Sequence, residues 1–314
     1  MLKWFAVIVS LGMAVSGPSF AQGSGAGVSA ADTVVGRAFD APVNRQPVTD
    51  KFWWSDDWYE RGILEVPENY AVTEREVSYT NPADDTEVPA ILFRPEKPGS
   101  YPGVLFQHGR RGLDELVQNL ARRLAARGFV VLAPDVYAAR FISSRPIEHE
   151  EETEGDVDAG VDYLLSLTDV STSRICLYSH TRGGYYTLMV AVKYTRQNKD
   201  VACYISFYPH WQNPNAAEPD QVYRYVKEAD GLEIPAMVFI GEYEQYQRRR
   251  SLETAVGQMK LAGKDIKLII YPGVGRGFDF RPARIRTFAD DLASKDSLMR
   301  SAAFIRRHLK EWVR

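Results

Sequence analysis

From about residue 70 onward, short apolar runs alternate with longer segments of helical periodicity. Two partly apolar runs, at residues 76–79 and 88–93, predict an antiparallel pair of strands. Further strands are predicted at residues 103–107, 129–133, 174–178, 203–207, 236–240 and 267–271. Helices are predicted at residues 113–127, at 156–167, from 183 onward, at 252–261 and at 297–313. This alternation predicts an α/β fold with a mostly parallel central sheet and helices on both faces.

The direction of the strands in such a sheet indicates where a functional site lies. Right-handed crossovers place the carboxyl ends of the parallel strands along one edge. Ligands of open α/β sheets bind at that edge. The residues that directly follow each strand are therefore the candidates for a functional site.

The first 21 residues predict an export signal that precedes the folded part. Lys3 is followed by an apolar run at 4–15, and small residues stand at Ser19 and Ala21. A run of this length is too short for a membrane span, which needs about 20 residues. We expect cleavage after Ala21 and a periplasmic protein, with an N-terminal extension at 22–70 and the α/β domain at 71–314.

Charge excludes some partners. Removal of the signal removes one of the 38 basic residues and none of the 41 acidic ones, so the net charge changes from −3 to −4. This balance argues against nucleic acid or an anionic membrane as a partner.

No other apolar run is long enough to span a membrane. No His/Cys cluster has metal-ligand spacing, and we expect neither a metal nor a cofactor. The oligomeric state stays open.

The chain has two cysteines, Cys176 and Cys203, each in a predicted strand. Export would permit a disulfide between them. The alternative is a pair of buried free thiols, and this is the interpretation that we adopt here.

The loop after the predicted strand at 174–178 has the sequence SHTRGG at residues 179–184. A strand, two residues, two glycines and a helix form the shape of a nucleophile elbow. The residue before the turn into the helix projects at the helix N-terminus, where backbone N–H groups can stabilise an oxyanion. In this chain that residue is Thr181.

Other short motifs surround the elbow. They are YPGV at 101–104, QHG at 107–109, LAARGF at 124–129, LAPDVY at 132–137, YPG at 271–273, GF at 277–278 and AFI at 303–305. Together they make residues 75–312 resemble the dienelactone hydrolase family of the α/β-hydrolase superfamily. The resemblance implies an α/β-hydrolase fold and a hydrolase that uses a Ser or Cys nucleophile, an Asp and a His.

All three positions implied by the resemblance carry another residue. Thr181 stands at the nucleophile position, Glu244 at the acid position and Arg276 at the histidine position. Glu for Asp is a mild change, but a β-branched Thr fits poorly into a strained elbow. Arg stays protonated and cannot accept the proton of a nucleophile. The sequence therefore predicts a degenerate triad, and whether the protein is an enzyme remains open.

Two histidines that follow strands, His108 and His210, are candidates for a substitute base. The predicted ligand contacts are Gln107, Arg110, Tyr137, Arg140, His180, Arg182, Tyr208, Trp211 and Phe278. Three more arginines, at 248–250, begin the next helix, and Glu244 is expected to pair with Arg276. This excess of arginine favours a pocket for a small anionic ligand such as a carboxylate. The alternative is a set of scattered surface arginines with a purely structural Glu244–Arg276 pair. The acidic run at 148–154 predicts a solvated face, and we assign no chemistry to His149 within it.

Three functional hypotheses follow from these residues. The first is a non-catalytic or repurposed member that binds a small anion or a partner. The second is an ester or lactone hydrolase with a rearranged catalytic set that uses His210 or His108. The third is a lyase or isomerase that transfers protons with a histidine and Tyr137. The fold alone does not discriminate among them, because function depends on the site.

Overall fold

The computed structural model describes residues 70–314. The predicted export signal at 1–21 and nearly all of the predicted extension at 22–70 lie outside these residues. The described chain forms one eight-stranded sheet with the order β1-β2-β4-β3-β5-β6-β7-β8. The strands are β1 Val72–Asn81, β2 Thr86–Pro95, β3 Gly103–Gln107, β4 Val130–Pro134, β5 Ile175–His180, β6 Val201–Phe207, β7 Ala236–Tyr243 and β8 Ile266–Gly275.

Strand β2 runs antiparallel to both of its neighbours, β1 and β4, and the pairs from β4 to β8 are parallel. The predicted antiparallel pair and the mostly parallel sheet are therefore confirmed. Every residue of β3, β4, β5 and β6 is buried, so these strands form the centre of the core. Burial on both faces explains why their apolar runs were continuous in the sequence.

Helices pack in two groups. They are α1 Glu115–Ala125, α2 Val136–Ala139, α3 Glu152–Ser166, α4 Gly183–Val192, α5 Glu218–Tyr223, α6 Glu228–Gly231, α7 Tyr246–Leu261 and α8 Phe288–Leu309. Helices α1 and α8 contact each other, whereas α3, α4, α6 and α7 contact one another in series. The two groups cover the two faces of the sheet, as predicted. Among residues 70–314, no helix has the length and apolar character that a membrane span requires.

The closing helix α8 begins earlier than predicted, at Phe288. The Thr287 hydroxyl accepts a hydrogen bond from the Asp290 amide at 3.1 Å, and the Asp290 carboxylate accepts one from the Thr287 amide at 2.9 Å. This reciprocal capping box satisfies two backbone donors that a helix otherwise leaves unpaired. The capping box thus marks the start of the helix, which begins more than two turns before the residue that periodicity predicted.

The prediction of a solvated face at 148–154 is wrong for Glu154. Helix α3 begins at Glu152, so Glu154 lies in its first turn and is 1% exposed. Its carboxylate accepts hydrogen bonds from His149 Nε2 at 2.8 Å and from Lys193 Nζ at 2.7 Å. These partners compensate for the loss of water around the carboxylate, which is why an acid can be buried here.

The prediction of free thiols is also wrong, because Cys176 and Cys203 form a disulfide. Cys176 lies directly opposite Cys203 in the register of β5 and β6, and their Cα atoms are 4.7 Å apart. This separation lies within the range that a disulfide requires. The register of two neighbouring strands is a tertiary property, so the spacing of the cysteines along the chain could not reveal it.

Candidate functional site

The turn between β5 and α4 is tightly packed against the two neighbouring strands of the sheet, β3 and β6. Thr181 has a φ of 53°, a left-handed conformation that is uncommon for a β-branched residue. Its amide donates to the carbonyl oxygen of Phe207 at 3.0 Å, and its carbonyl accepts from the His210 amide at 2.9 Å. A Cβ on Gly183 would lie 2.4 Å from the carbonyl oxygen of Gln107, so only glycine permits this approach.

The Thr181 hydroxyl faces the loop that follows β3. A Cβ on Gly109 would lie 1.6 Å from Thr181 Oγ1, so the absence of a side chain at Gly109 makes room for the hydroxyl. Within residues 70–314 this hydroxyl makes no hydrogen bond, and hence none to an imidazole. The backbone N–H groups of Arg110 and Arg182 also have no acceptor among these residues. Thr181 therefore has two free amide donors nearby, as in an oxyanion hole, but no base.

The other two triad positions contact each other. Arg276 Nη1 donates to Glu244 Oε1 at 2.9 Å, so the expected ion pair is confirmed. Arg276 Nη2 lies 2.7 Å from His210 Nε2. A guanidinium group can only donate, so Nε2 of His210 must be the acceptor. The single lone pair that a neutral imidazole could use as a base is therefore occupied.

His210 is held in its neutral form. The residue is 7% exposed, and burial together with the charge of Arg276 holds the pKa of its imidazole well below the ordinary value. Three further arginines, Arg248, Arg182 and Arg110, act in the same direction. Each positive charge disfavours a second proton on the ring.

The second candidate base, His108, is fully buried. Its Nδ1 lies 2.8 Å from the carbonyl oxygen of Gly109, to which it donates, and its Nε2 is 3.7 Å from Asp135 Oδ1. Burial lowers the pKa of His108, although the Asp135 carboxylate opposes this shift. The edge of the Tyr137 ring packs on the imidazole with ring centroids 4.8 Å apart. Burial raises the pKa of the Tyr137 phenol, so it stays protonated at neutral pH.

A cavity of about 480 Å³ lies beside the elbow. Arg110, Arg182, Arg248 and His210 all line it, and these four side chains, all buried or half-buried, are called the donor wall below. The carboxylates that also line the cavity, those of Glu148 and Glu218, belong to exposed residues. The less exposed part of the cavity is thus strongly cationic.

The arginines of the donor wall bind neutral oxygen atoms. Arg110 and Arg182 donate four hydrogen bonds, between 2.7 and 3.0 Å long, to backbone carbonyl oxygens of residues 145–148. Arg248 Nη1 donates to Gln212 Oε1 at 2.7 Å. Within residues 70–314 none of these three guanidinium groups forms an ion pair with a carboxylate. Their hydrogen bonds fix their positions but give none of them a carboxylate partner.

The mutual repulsion of these charges is visible in the pKa values of Arg248 and Arg110. Burial lowers the pKa of Arg248 to about 10, and the charges of Arg276, Arg182 and Arg110 add to the effect. Burial and the charges of Arg182 and Arg276 lower the pKa of Arg110 as well. The arginines repel one another, so an anion in the cavity would relieve a repulsion that is already present.

Three of the predicted ligand contacts lie behind the elbow. Ser179 of β5 hydrogen-bonds to α4, so the next side chain, His180, points to the opposite face of the sheet. There His180 Nε2 donates to Asp279 Oδ2 at 2.7 Å, and the Tyr208 hydroxyl donates to the other oxygen. These three residues, His180, Tyr208 and Asp279, are called the back cluster below. Phe278 packs edge-on against the ring of Tyr208.

Four other predicted contacts do not line the cavity, and one of them, Tyr137, packs on His108. Arg140 binds Asp156 with its Nε at 2.6 Å. Trp211 is buried and donates from Nε1 to the Tyr204 hydroxyl at 2.9 Å. Arg140 and Trp211 thus use their polar groups within the protein. Gln107 is buried in β3. Its Nε2 donates to the carbonyl oxygen of His108 at 3.4 Å, and its Oε1 has no partner among residues 70–314.

Sequence reasoning missed other parts of the site. His149 was given no role, yet it lines the cavity and pairs with the buried Glu154. Of the three arginines at 248–250, only Arg248 lines this cavity. The sequence analysis did not predict a role for Asp279. Its position three residues after Arg276 is the signal that could have indicated one. Among residues 70–314, no three His, Cys, Asp or Glu side chains meet in a way that could hold a metal ion.

Comparison with known proteins now identifies the family. The model of the dienelactone hydrolase family matches residues 88–309. The chain belongs to the dienelactone hydrolase family. A relative from Methylorubrum extorquens, named "Putative carboxymethylenebutenolidase", is 24% identical over 219 residues, which cover 64% of this chain and 72% of the relative.

A Bradyrhizobium relative is named "Probable 2-oxo-3-(5-oxofuran-2-ylidene)propanoate lactonase". It is 25% identical over 233 residues, which cover 70% of this chain and 89% of the relative. A solved structure titled "Putative Dienelactone Hydrolase", from Klebsiella pneumoniae, matches with a TM-score of 0.60 at 19% identity. It covers 76% of this chain and 99% of its own. The fold of this dienelactone hydrolase family member is therefore the α/β-hydrolase fold.

Proposed function

We propose that this member of the dienelactone hydrolase family binds a small carboxylate in the cavity beside the elbow and does not hydrolyse esters through an acyl-enzyme. The observation that carries the proposal is the donor wall, whose three guanidinium groups have only neutral partners. A carboxylate accepts two parallel hydrogen bonds from a guanidinium group. Its negative charge would also offset the mutual repulsion of the arginines.

The residues at the triad positions support binding rather than acyl transfer. Thr181 has no base within hydrogen-bond reach, and Arg276 is a permanent cation that occupies the acceptor nitrogen of His210. Loss of a working triad lowers the rate of hydrolysis by several orders of magnitude. The free amides of Arg110 and Arg182 remain, and in this proposal they bind a carboxylate oxygen.

The two alternative functions lack a suitable base. A rearranged hydrolase would need an accessible lone pair on His210 or His108, but that of His210 is occupied by Arg276 and that of His108 is fully buried. A lyase or isomerase would need Tyr137 to exchange protons, and burial raises its pKa instead. The printed name of the Bradyrhizobium relative specifies a propanoate, which is a carboxylate and so supports an anionic ligand here too.

We place this function outside the cytoplasm, in the periplasm, after cleavage at Ala21. The export signal predicted at 1–21 supports this location, and so does the Cys176–Cys203 disulfide, because disulfides persist in oxidising compartments. The N-terminal sequence of the purified periplasmic protein tests the location. A protein that stays in the cytoplasm with Met1 intact would contradict it.

Calorimetric titration with glutarate tests the binding site. We expect saturable binding that Arg248→Met weakens by about tenfold, since a hydrogen bond to a charged group contributes about 1.5–3 kcal/mol. Arg250→Met is the matched control, because Arg250 lies two positions away on the same helix and is exposed over the ring of Tyr223. Equal losses in both variants, or no binding by the wild type, would contradict the site.

Aryl esters and a fluorophosphonate probe test the absence of acyl transfer. We expect neither turnover nor labelling by the wild type, beside a Thr181→Ala variant as the reference. Ester turnover that Thr181→Ala abolishes would show that Thr181 is a working nucleophile and would overturn this half of the proposal.

A further inference from the structure

We propose that Arg276 fixes the proton of His210 on Nδ1, so that the donor wall offers hydrogen-bond donors alone and selects carboxylates whose second polar group is an acceptor. The ligand class is then a 2-oxo carboxylate rather than the corresponding 2-hydroxy or 2-amino carboxylate. This inference rests on the proposed carboxylate site. It assigns His210 to ligand selectivity and makes Arg276 a positioning residue.

The position of the proton follows from the contact between the two side chains. Arg276 Nη2 and His210 Nε2 are 2.7 Å apart, and a guanidinium group has no lone pair to offer. A neutral imidazole carries one N–H and one acceptor nitrogen. Because Nε2 accepts, the proton is on Nδ1. His210 lines the cavity, and its Nδ1 has no hydrogen-bond partner among residues 70–314.

Arg276 is itself held in place on two further sides. Its Nη1 donates to Glu244 Oε1 at 2.9 Å, and the Glu244 side chain is 1% exposed. Its guanidinium carbon lies 5.0 Å from the centroid of the Tyr208 ring, within the range of a cation–π contact. An arginine anchored by a buried carboxylate and an aromatic face cannot easily rotate away from His210.

The hydrogen-bond acceptors that line the cavity belong to side chains outside the donor wall, namely His149, Gln221, Glu148 and Glu218. Arg110, Arg182 and Arg248 are donors by their chemistry. Asn215 also lines the cavity, but its oxygen accepts from the His149 amide and its nitrogen donates to the His149 carbonyl, both at 2.9 Å. The carboxylates of Glu148 and Glu218 belong to exposed residues. A ligand oxygen that only accepts fits this wall, whereas a ligand donor that faces the wall is left unpaired and binds more weakly.

The selectivity test uses 2-oxoglutarate and 2-hydroxyglutarate, which carry the same charge at neutral pH and differ in one polar group. We expect the wild type to bind 2-oxoglutarate about tenfold more tightly in calorimetric titrations. In the double variant Glu244→Leu/Arg276→Met, His210 is free to carry its proton on either nitrogen, and we expect the preference to fall below about twofold. This variant removes one charge of each sign, so the net charge of the site is unchanged.

NMR can show which ring nitrogen of His210 carries the proton. If Arg276 had only a structural role, its replacement would not change this tautomer. Long-range ¹H–¹⁵N correlations of the labelled wild type should show a protonated Nδ1 and an unprotonated Nε2 on His210 between pH 8 and pH 5. In the folded double variant, checked by circular dichroism, the other tautomer should appear and the ring should titrate.

Three results would overturn the inference. A proton on Nε2 of wild-type His210 would contradict the role of Arg276. Equal affinities of the wild type for the two ligands would contradict the selectivity while leaving the carboxylate site intact. Failure of the wild type to bind glutarate and both test ligands would contradict the carboxylate site, and the selectivity with it, whichever nitrogen carries the proton.

Discussion

The two sides of the elbow differ in how their buried polar groups are paired. In the back cluster, one buried carboxylate, Asp279, accepts hydrogen bonds from both His180 and Tyr208. On the donor wall, three arginines and a neutral histidine meet without a carboxylate partner for any of the arginines. Both sides are polar and largely buried, and they lie on either side of the same turn.

The difference separates stability from function. Buried polar groups that satisfy one another stabilise the fold, whereas buried charges without a counter-charge cost free energy. A protein that keeps three guanidinium groups without a carboxylate partner at a cavity gives up some stability there. This is the arrangement expected where a ligand completes the charge balance. Four substitutions test this contrast, one in the back cluster, two on the donor wall and one in the turn between them.

The largest effect is expected in the back cluster. Asp279→Asn keeps the shape of the side chain but removes its charge. It also replaces one of the two accepting carboxylate oxygens with an NH2 group, which donates. We expect the free energy of unfolding to fall by about 3 kcal/mol, because two buried donors then share one acceptor. Urea denaturation measures this change, and a loss below 1 kcal/mol would show that the cluster is not a stabilising unit.

The second effect is a dependence of stability on pH that originates at His210. Its pKa is depressed in the folded protein, so below about pH 6.5 the unfolded chain binds a proton that the folded chain does not. The free energy of unfolding therefore falls as pH falls. Between pH 7 and pH 5 we expect the wild type to lose about 2 kcal/mol more than His210→Gln. Parallel curves for the two proteins would contradict a neutral His210.

The third effect concerns the strained turn between the two sides. Thr181→Gly removes a β-branched side chain from a residue with a φ of 53°, and we expect unfolding to become about 1 kcal/mol less favourable. Thr181→Ala is the control, since alanine keeps a Cβ in the same conformation and should gain less. If glycine destabilises the protein relative to alanine, the side chain of Thr181 contributes packing that outweighs the strain.

The smallest effect is expected on the donor wall itself. Arg248→Met removes one of the repelling charges and loses a hydrogen bond to Gln212, so the two consequences oppose each other. We expect the free energy of unfolding to change by less than about 0.5 kcal/mol. Thermal unfolding without ligand checks this prediction. A loss comparable to that of Asp279→Asn would mean that the donor wall is a structural element and would remove the contrast.

The sequence predicted the sheet well and the partners of individual side chains poorly. Strands such as β3 are buried on both faces, so their apolar runs mark their positions without knowledge of their neighbours. The elbow at Thr181 was found in the same way, because its glycines are local in sequence. The Glu244–Arg276 pair was found because both residues occupy positions defined by motifs.

Other features depend on tertiary contacts that no local pattern contains. Arg140 follows a strand as a ligand-binding residue would, but a buried aspartate on α3 binds it. His180 and Tyr208 were assigned to the pocket because they flank the ligand edge, whereas the alternation of side chains turns His180 to the opposite face. The partner of His149 lies only five residues away, yet its burial results from how α3 packs, which the acidic composition of that segment obscured.

The disulfide between β5 and β6 determines whether the chain stays covalently linked after a cut in its backbone. Cys176 and Cys203 enclose the elbow, helix α4 and the turn at 193–200 that leads to β6. A protease that cuts this turn would yield two peptides held together through the middle of the sheet. The nicked protein would migrate as one band on a denaturing gel until a thiol is added. The segment that bears Thr181 thus stays covalently linked to both fragments when the backbone is broken on its C-terminal side.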